Sequence, residues 1–298
     1  MINNDYLIKV VDQSGQVRIS LAHTTALVDE ARSRHGTSAT ASAALGRVLT
    51  AALLMGSDMK GEQDALTIRV DGNGISGPII ATVDSKGSGR ALIFNPQADL
   101  PSKAPGKLAV GELVGKQGFL EVIKDLGMKQ PFIGKVPLVS GEIAEDVASY
   151  YLRSEQIPSL VSLGVLVDTD LSIKAAGGLI VQAMPGADDS ILEIIENNIN
   201  SLGPISEALV RHSWLESIAG QVMKGLSYNL VGQIPLSFKC NCNDERLAAI
   251  MASLSVEELQ EIEQNVGKIE VCCNFCNKRY QFELQDLLQK KQKALEEI

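Results

Sequence analysis

Runs rich in Ile, Leu and Val at residues 6–11 and 17–21, on either side of Ser14-Gly15, predict two strands joined by a turn. Two helical stretches follow. The second, residues 40–59, is rich in Ala and Leu, and Ser38 or Thr40 is placed to cap it. From 65 to 137 the pattern turns to β, with runs at 66–70, 78–83, 90–94 and 119–123 punctuated by Gly, Asn, Asp and Pro. Residues 144–152 read as helix, and 160–167 with 173–181 as a hairpin around Asp168-Thr169-Asp170. Strands that follow one another through short turns build a largely antiparallel sheet with helices beside it. The expectation is an α+β fold whose mixed core spans residues 1–185.

Beyond Met184-Pro185-Gly186 the character changes, and residues 186–239 read as a helical linker. Asp188-Asp189-Ser190 can cap a helix beginning at Ile191, Gly203-Pro204 ends it, and short helices continue to Gly225. These helices are amphipathic and lack a core of their own, so they must lean on something. Residues 240–298 form a third part: one helix over 244–264, a short β-type knuckle, and a charged helix from Leu284. Its Lys290-Lys291 and Glu296-Glu297 run reads as a solvated face.

Composition narrows the possibilities. Aromatic residues are only 4 %, so the core rests on Ala, Val, Ile and Leu. A net charge of -9 argues against a nucleic-acid footprint and against a polybasic membrane surface. The first residues, Met1-Ile2-Asn3-Asn4-Asp5, do not have the form of a signal peptide. The apolar stretch 39–55 is interrupted by Arg47 and falls short of the ~20 residues of a membrane span. A cytoplasmic protein is expected.

Two letter patterns mimic nucleotide sites. Residues 72–77 fit G-x-G-x-x-G, but a dinucleotide fingerprint opens a helix, whereas 78–83 continues as strand, so a hairpin turn is expected. Residues 111–117 fall one residue short of a P-loop and lack its Ser or Thr. His23, His35 and His212 are scattered, and no hydrolase or metalloprotease motif occurs, so no catalytic residue is expected.

All five cysteines lie between Cys240 and Cys276. Such clustering reads as a metal or redox site rather than a disulfide framework. Cys240-Asn241-Cys242 and Cys273-Asn274-Phe275-Cys276 form a C-x-C and a C-x-x-C pair, which suit one tetrahedral zinc ion. Three readings are open from the spacing: a structural zinc, a redox-sensing zinc, and metal-free thiols. Cys272 is the extra thiol. In an extended approach to the knuckle, adjacent side chains point to opposite faces, so Cys273 rather than Cys272 is expected beside Cys276. A thiol–disulfide oxidoreductase and a zinc-ribbon nucleic-acid module are the alternative functions. The first lacks a βαβ pattern around its cysteines, and the second is disfavoured by the acidic charge.

Taken with the rest of the chain, these residues resemble the redox-regulated chaperone family called heat-shock protein 33. The resemblance is carried by the C-x-C and C-x-x-C pairs, by Arg34-His35-Gly36-Thr37 leading into 40–47, and by 122–127, 154–159 and 176–178. It implies an ATP-independent holdase, not an enzyme, that binds unfolding clients under oxidative stress. It implies zinc on Cys240, Cys242, Cys273 and Cys276 in the reduced, inactive state, one ion per chain. Activation is then implied to form Cys240–Cys242 and Cys273–Cys276 disulfides, release zinc and favour a homodimer.

Overall fold

The computed structural model describes residues 5–104, 106–212, 214–266 and 269–296, so the reading of the N-terminal segment at residues 1–4, and Glu297 of the C-terminal charged run, lie outside the described residues. The chain divides into two compact units, Met1–Lys239 and Cys240–Ile298. The fold is α+β, as expected.

The first unit holds two sheets where the sequence suggested one. Strands β1 (Tyr6–Asp12), β2 (Val17–His23), β8 (Ser159–Val167), β9 (Ile173–Ala183) and β10 (Tyr228–Pro235) make an antiparallel sheet in the order β10-β1-β2-β9-β8. The second sheet has the order β11-β5-β4-β3-β6-β7. Its members are β3 (Ala65–Asp71), β4 (Ile79–Asp84), β5 (Ser88–Ile93), β6 (Phe119–Asp125), β7 (Phe132–Pro137) and the short β11 (Ser237–Phe238), which alone pairs in parallel. Strands of both sheets read alike along the chain, and only their pairing separates them.

Helices α1 (Thr25–His35) and α2 (Ala39–Gly56) fill the space between. Helix α2 packs on strands of both sheets, and 89 % of it is buried. Contrary to the sequence expectation, this 18-residue helix is long and apolar enough to cross a membrane; its burial between the sheets explains that apolarity. Ser38 caps it by accepting from the Ala41 N–H. Small residues let the layers close. A Cβ at Gly46 would lie 2.6 Å from Cγ1 of Val28 and 2.8 Å from Cγ2 of Val165. Arg47, the charge within this helix, reaches out to Glu142 at 2.8 Å. At the end of α1, Gly36 adopts the left-handed conformation and its N–H bonds to the Arg32 carbonyl, while His35 Nε2 lies 3.0 Å from the Ala91 carbonyl oxygen. The Arg34-His35-Gly36-Thr37 motif is therefore a helix ending. Helices α3 (Val110–Val114) and α4 (Ala144–Tyr150) complete this layer.

Residues 72–77 form the turn between β3 and β4, as expected, and lie against the end of α3 and the residues after it: Gly74 N–H bonds to Val114 O, and Gln117 N–H to Gly72 O. The two nucleotide-like patterns thus brace one another through backbone.

The central strands β1, β2 and β9 of the first sheet bury side chains on both faces. Leu7, Ala22 and Ile180 face α2, whereas Ile8, Ile19, Leu21 and Leu179 face helices α5 (Asp189–Leu202), α6 (Ile205–Arg211) and α7 (Leu215–Val222). The amphipathic helices lean here, burying Ile195, Leu202, Ile205, Leu209, Ile218 and Val222. Residues 226–239 read as part of the helical linker, yet β10 pairs with β1 along the edge of this sheet.

The second unit contains α8 (Asp244–Met251), α9 (Val256–Val266), the antiparallel hairpin of β12 (Ile269–Cys272) and β13 (Arg279–Phe282), and α10 (Leu284–Glu296). The single helix expected over 244–264 is broken by a capping box. Ser255 Oγ accepts from Glu258 N–H, and the Glu258 carboxylate accepts from Ser255 N–H. Lys291 is not simply solvated: its ammonium donates to the Ala252 and Leu254 carbonyls after α8. Among the described residues the unit's buried apolar cluster is small: Ala248, Leu259, Ile269 and Leu287.

Candidate metal centre

The hairpin sets half of the site. Register pairs Val271 with Tyr280 and Cys272 with Arg279, after which the chain turns. Cys273 N–H bonds to Lys278 O, and Asn277 N–H bonds back to Cys273 O at 2.8 Å, with Asn277 in the left-handed region. This tight turn aims Cys273 and Cys276 the same way. The other half, Cys240 and Cys242, lies in the irregular segment before α8, whose Asn243 cap accepts from Arg246 N–H.

The four Sγ atoms lie within 4.8 Å of one another. Cys240 and Cys273 approach to 3.7 Å, and Cys242 and Cys276 to 3.2 Å. A disulfide is ~2.05 Å long, so these are separate thiols. A regular tetrahedron with ~2.3 Å metal–sulfur bonds has an edge of about 3.8 Å. The cluster fits that size, and four soft donors around one point could hold a metal ion. Cys273 and Cys276 are 9 % and 5 % exposed, Cys240 and Cys242 half-buried. Cys272 stands outside the cluster, exposed, its Sγ 3.5 Å from Asn277 Oδ1.

Electrostatics differ sharply across the cluster. Burial opposes ionisation of Cys242, but hydrogen bonds from the Tyr280 hydroxyl and the neighbouring thiols overcome it and bring Cys242 down to about 7. Burial pushes Cys240 up, and pushes Cys276 up further, where donation to Cys242 also favours the protonated thiol. One thiolate, on Cys242, is thus stabilised first. Tyr280 is the residue that reading the sequence did not single out. Its contact crosses from β13 to the C-x-C pair, and spacing along the chain carries no signal for it.

A family model described as Hsp33 protein matches residues 5–283. The chain belongs to the Hsp33 family. The 33 kDa chaperonin of Desulforamulus reducens is 49 % identical over 283 residues, covering 95 % of this chain and 96 % of its own. That of Geobacillus kaustophilus is 43 % identical over 293 residues, covering 98 % and 99 %. The crystal structure of the 33 kDa chaperonin (heat shock protein 33 homolog) of Thermotoga maritima matches with a TM-score of 0.90 at 35 % identity, over 98 % of this chain and 99 % of that one. These relatives are named chaperonins, not enzymes, and the chain is an Hsp33-type chaperone.

Proposed function

We propose that this chaperone is a redox-regulated, ATP-independent holdase, inactive when reduced and metal-bound and activated by oxidation of its four clustered cysteines. The observation that carries this reading is the pairing of four sulfurs within 4.8 Å with a unit whose own apolar cluster is very small. Such a unit requires a staple. Zinc, one ion per chain on Cys240, Cys242, Cys273 and Cys276, would supply it by holding all four sulfurs as thiolates, a contribution of ~10–16 kcal/mol in small peptides.

Thiolate character and partial exposure are what an oxidant such as peroxide attacks. In the proposed step Cys240 joins Cys242 and Cys273 joins Cys276. For each S–S bond two thiolates give up two electrons to one peroxide, which takes two protons from solvent and leaves as two waters. A disulfide sulfur is no longer a thiolate donor, so the unit loses its staple.

The same reading treats residues 1–185 as a stable core, 186–239 as a metastable linker and 240–298 as the switch. Helices α5 to α7 bury their apolar faces by docking on the first sheet and on one another. Released, they present Ile195, Leu202, Leu209 and Ile218 to unfolded clients, and Trp214 is already 65 % exposed. Self-association of activated molecules follows from the same surface. Clustered free thiols fit a reducing compartment, the cytoplasm, and the acidic charge fits neither nucleic acid nor membrane as partner. Zinc content and suppression of client aggregation, measured on one sample before and after peroxide treatment, test the reading. Retention of zinc by a fully active oxidised protein would overturn it.

A further inference from the structure

Tyr280 touches the sulfur cluster without belonging to it. Its side chain, on β13 beside Val271, is 3 % exposed. The hydroxyl lies 3.2 Å from Cys242 Sγ and 3.3 Å from the Cys242 carbonyl oxygen, so one proton is shared between them. The Lys278 ammonium lies 4.6 Å from the centre of the phenol ring.

We propose that Tyr280 is a positioning residue of the metal centre, its hydroxyl holding Cys242 Sγ in the direction a bound ion needs. The proposal rests on the reading of the four cysteines as metal ligands. Its motive is an asymmetry in support. Cys273 and Cys276 are fixed by a hydrogen-bonded turn, whereas Cys240 and Cys242 lie in an irregular segment. The Tyr280 hydroxyl ties that segment to the hairpin through both the side chain and the backbone of one residue. A hydrogen bond to an anionic sulfur is charge-assisted, and outer partners of this kind orient a ligand and tune the charge it offers. Lys278, over the ring face, draws electron density from the phenol and makes it a stronger donor.

Cobalt(II) substituted into the full chain reports on the sulfurs through its sulfur-to-metal charge-transfer band. A donated hydrogen bond lowers the sulfur lone pair and raises the energy of that band. Tyr280→Phe keeps the ring, so the band should move to the red and zinc affinity, measured against a coloured chelator, should fall ten- to hundredfold. Substituting 3-fluorotyrosine at 280 strengthens the donor and should move the band to the blue. Lys278→Met should give a smaller red shift. Ile269→Val serves as control: it loosens the unit's apolar cluster and should leave the band in place. An unmoved band in Tyr280→Phe, whatever the affinity, would reduce Tyr280 to packing and overturn the proposal. If the unaltered chain takes up neither metal, the metal-centre reading fails together with it.

Discussion

Adjacent cysteines at 272 and 273 offer a sharp test of how the knuckle selects its donor. Cys273 Sγ faces Cys240 at 3.7 Å and is 9 % exposed, whereas the Cys272 thiol is exposed and lies 3.5 Å from Asn277 Oδ1. Serine replaces either sulfur with little change of volume, so packing damage is small in both variants. The two backbones are also held differently: Cys272 sits in the β12 ladder opposite Arg279, and Cys273 N–H is fixed by the Lys278 carbonyl. Exchange of the two thiols would break one or both contacts.

The size of the effect follows from the site. Four thiolates share ~10–16 kcal/mol in small peptides, so each contributes roughly 2.5–4 kcal/mol. Cys273→Ser should therefore weaken zinc binding by about two to three orders of magnitude and lower the melting temperature of the second unit. Cys272→Ser, an exposed substitution outside the cluster, should change affinity by about twofold or less. Competition with a coloured zinc chelator ranks the variants directly. Equal losses, or a larger loss in Cys272→Ser, would refute the assignment of the knuckle.

Three further outcomes are expected. Gly46→Ala should destabilise the first unit by ~1–3 kcal/mol in thermal melts, because its Cβ meets Val28 and Val165 at 2.6 and 2.8 Å in a layer that cannot open. Burial opposes ionisation of Glu142, but Arg47 and Lys103 outweigh it and hold the carboxyl below its ordinary 4.5; between the two values the unfolded chain binds more protons, so this stabilisation is full above about pH 4.5 and lost as pH falls. Urea midpoints should accordingly show Glu142→Gln costing about 1–2 kcal/mol near neutrality and less at pH 3; a gap independent of pH would contradict the ion-pair account. After peroxide treatment, limited proteolysis with mass mapping should cut within 186–239 while 1–185 stays resistant, and equal protection in both redox states would count against a metastable linker.

The sequence disclosed features that depend on neighbours in the chain and concealed those that depend on neighbours in space. A cap at Ser38 or Thr40, the 72–77 turn and the two cysteine pairs are local patterns legible in their letters, and the structure chooses Ser38. Ser255 and Glu258 were equally local, a capping box inside what periodicity joined into one helix. The partition of the strands into two sheets was out of reach, because an apolar strand packed on α2 reads the same in either sheet. Tyr280 was invisible for the same reason, since its partner lies 38 residues away.

Strand β10 shows why this distinction matters for function. Most of its residues are exposed, including Leu230 and Val231, so the alternation that marks a half-buried strand is missing and it read as part of a helical linker. In the fold it is the edge strand that covers β1, from Tyr6 opposite Pro235 to Asp12 opposite Tyr228, with the register shifting between Lys9 and Val10. A linker that melts as proposed would therefore remove more than three helices. It would also strip β1 of its outer hydrogen bonds and leave an unpaired edge beside the newly bared faces of Ile8, Ile19 and Leu21. Backbone hydrogen exchange separates the two cases. On oxidation the β1 amides that bond to β10 should lose protection, while those at the β2–β9 seam, inside the sheet, keep theirs. Loss of protection confined to α5, α6 and α7 would place the boundary of the mobile segment before Tyr228 and leave the edge closed.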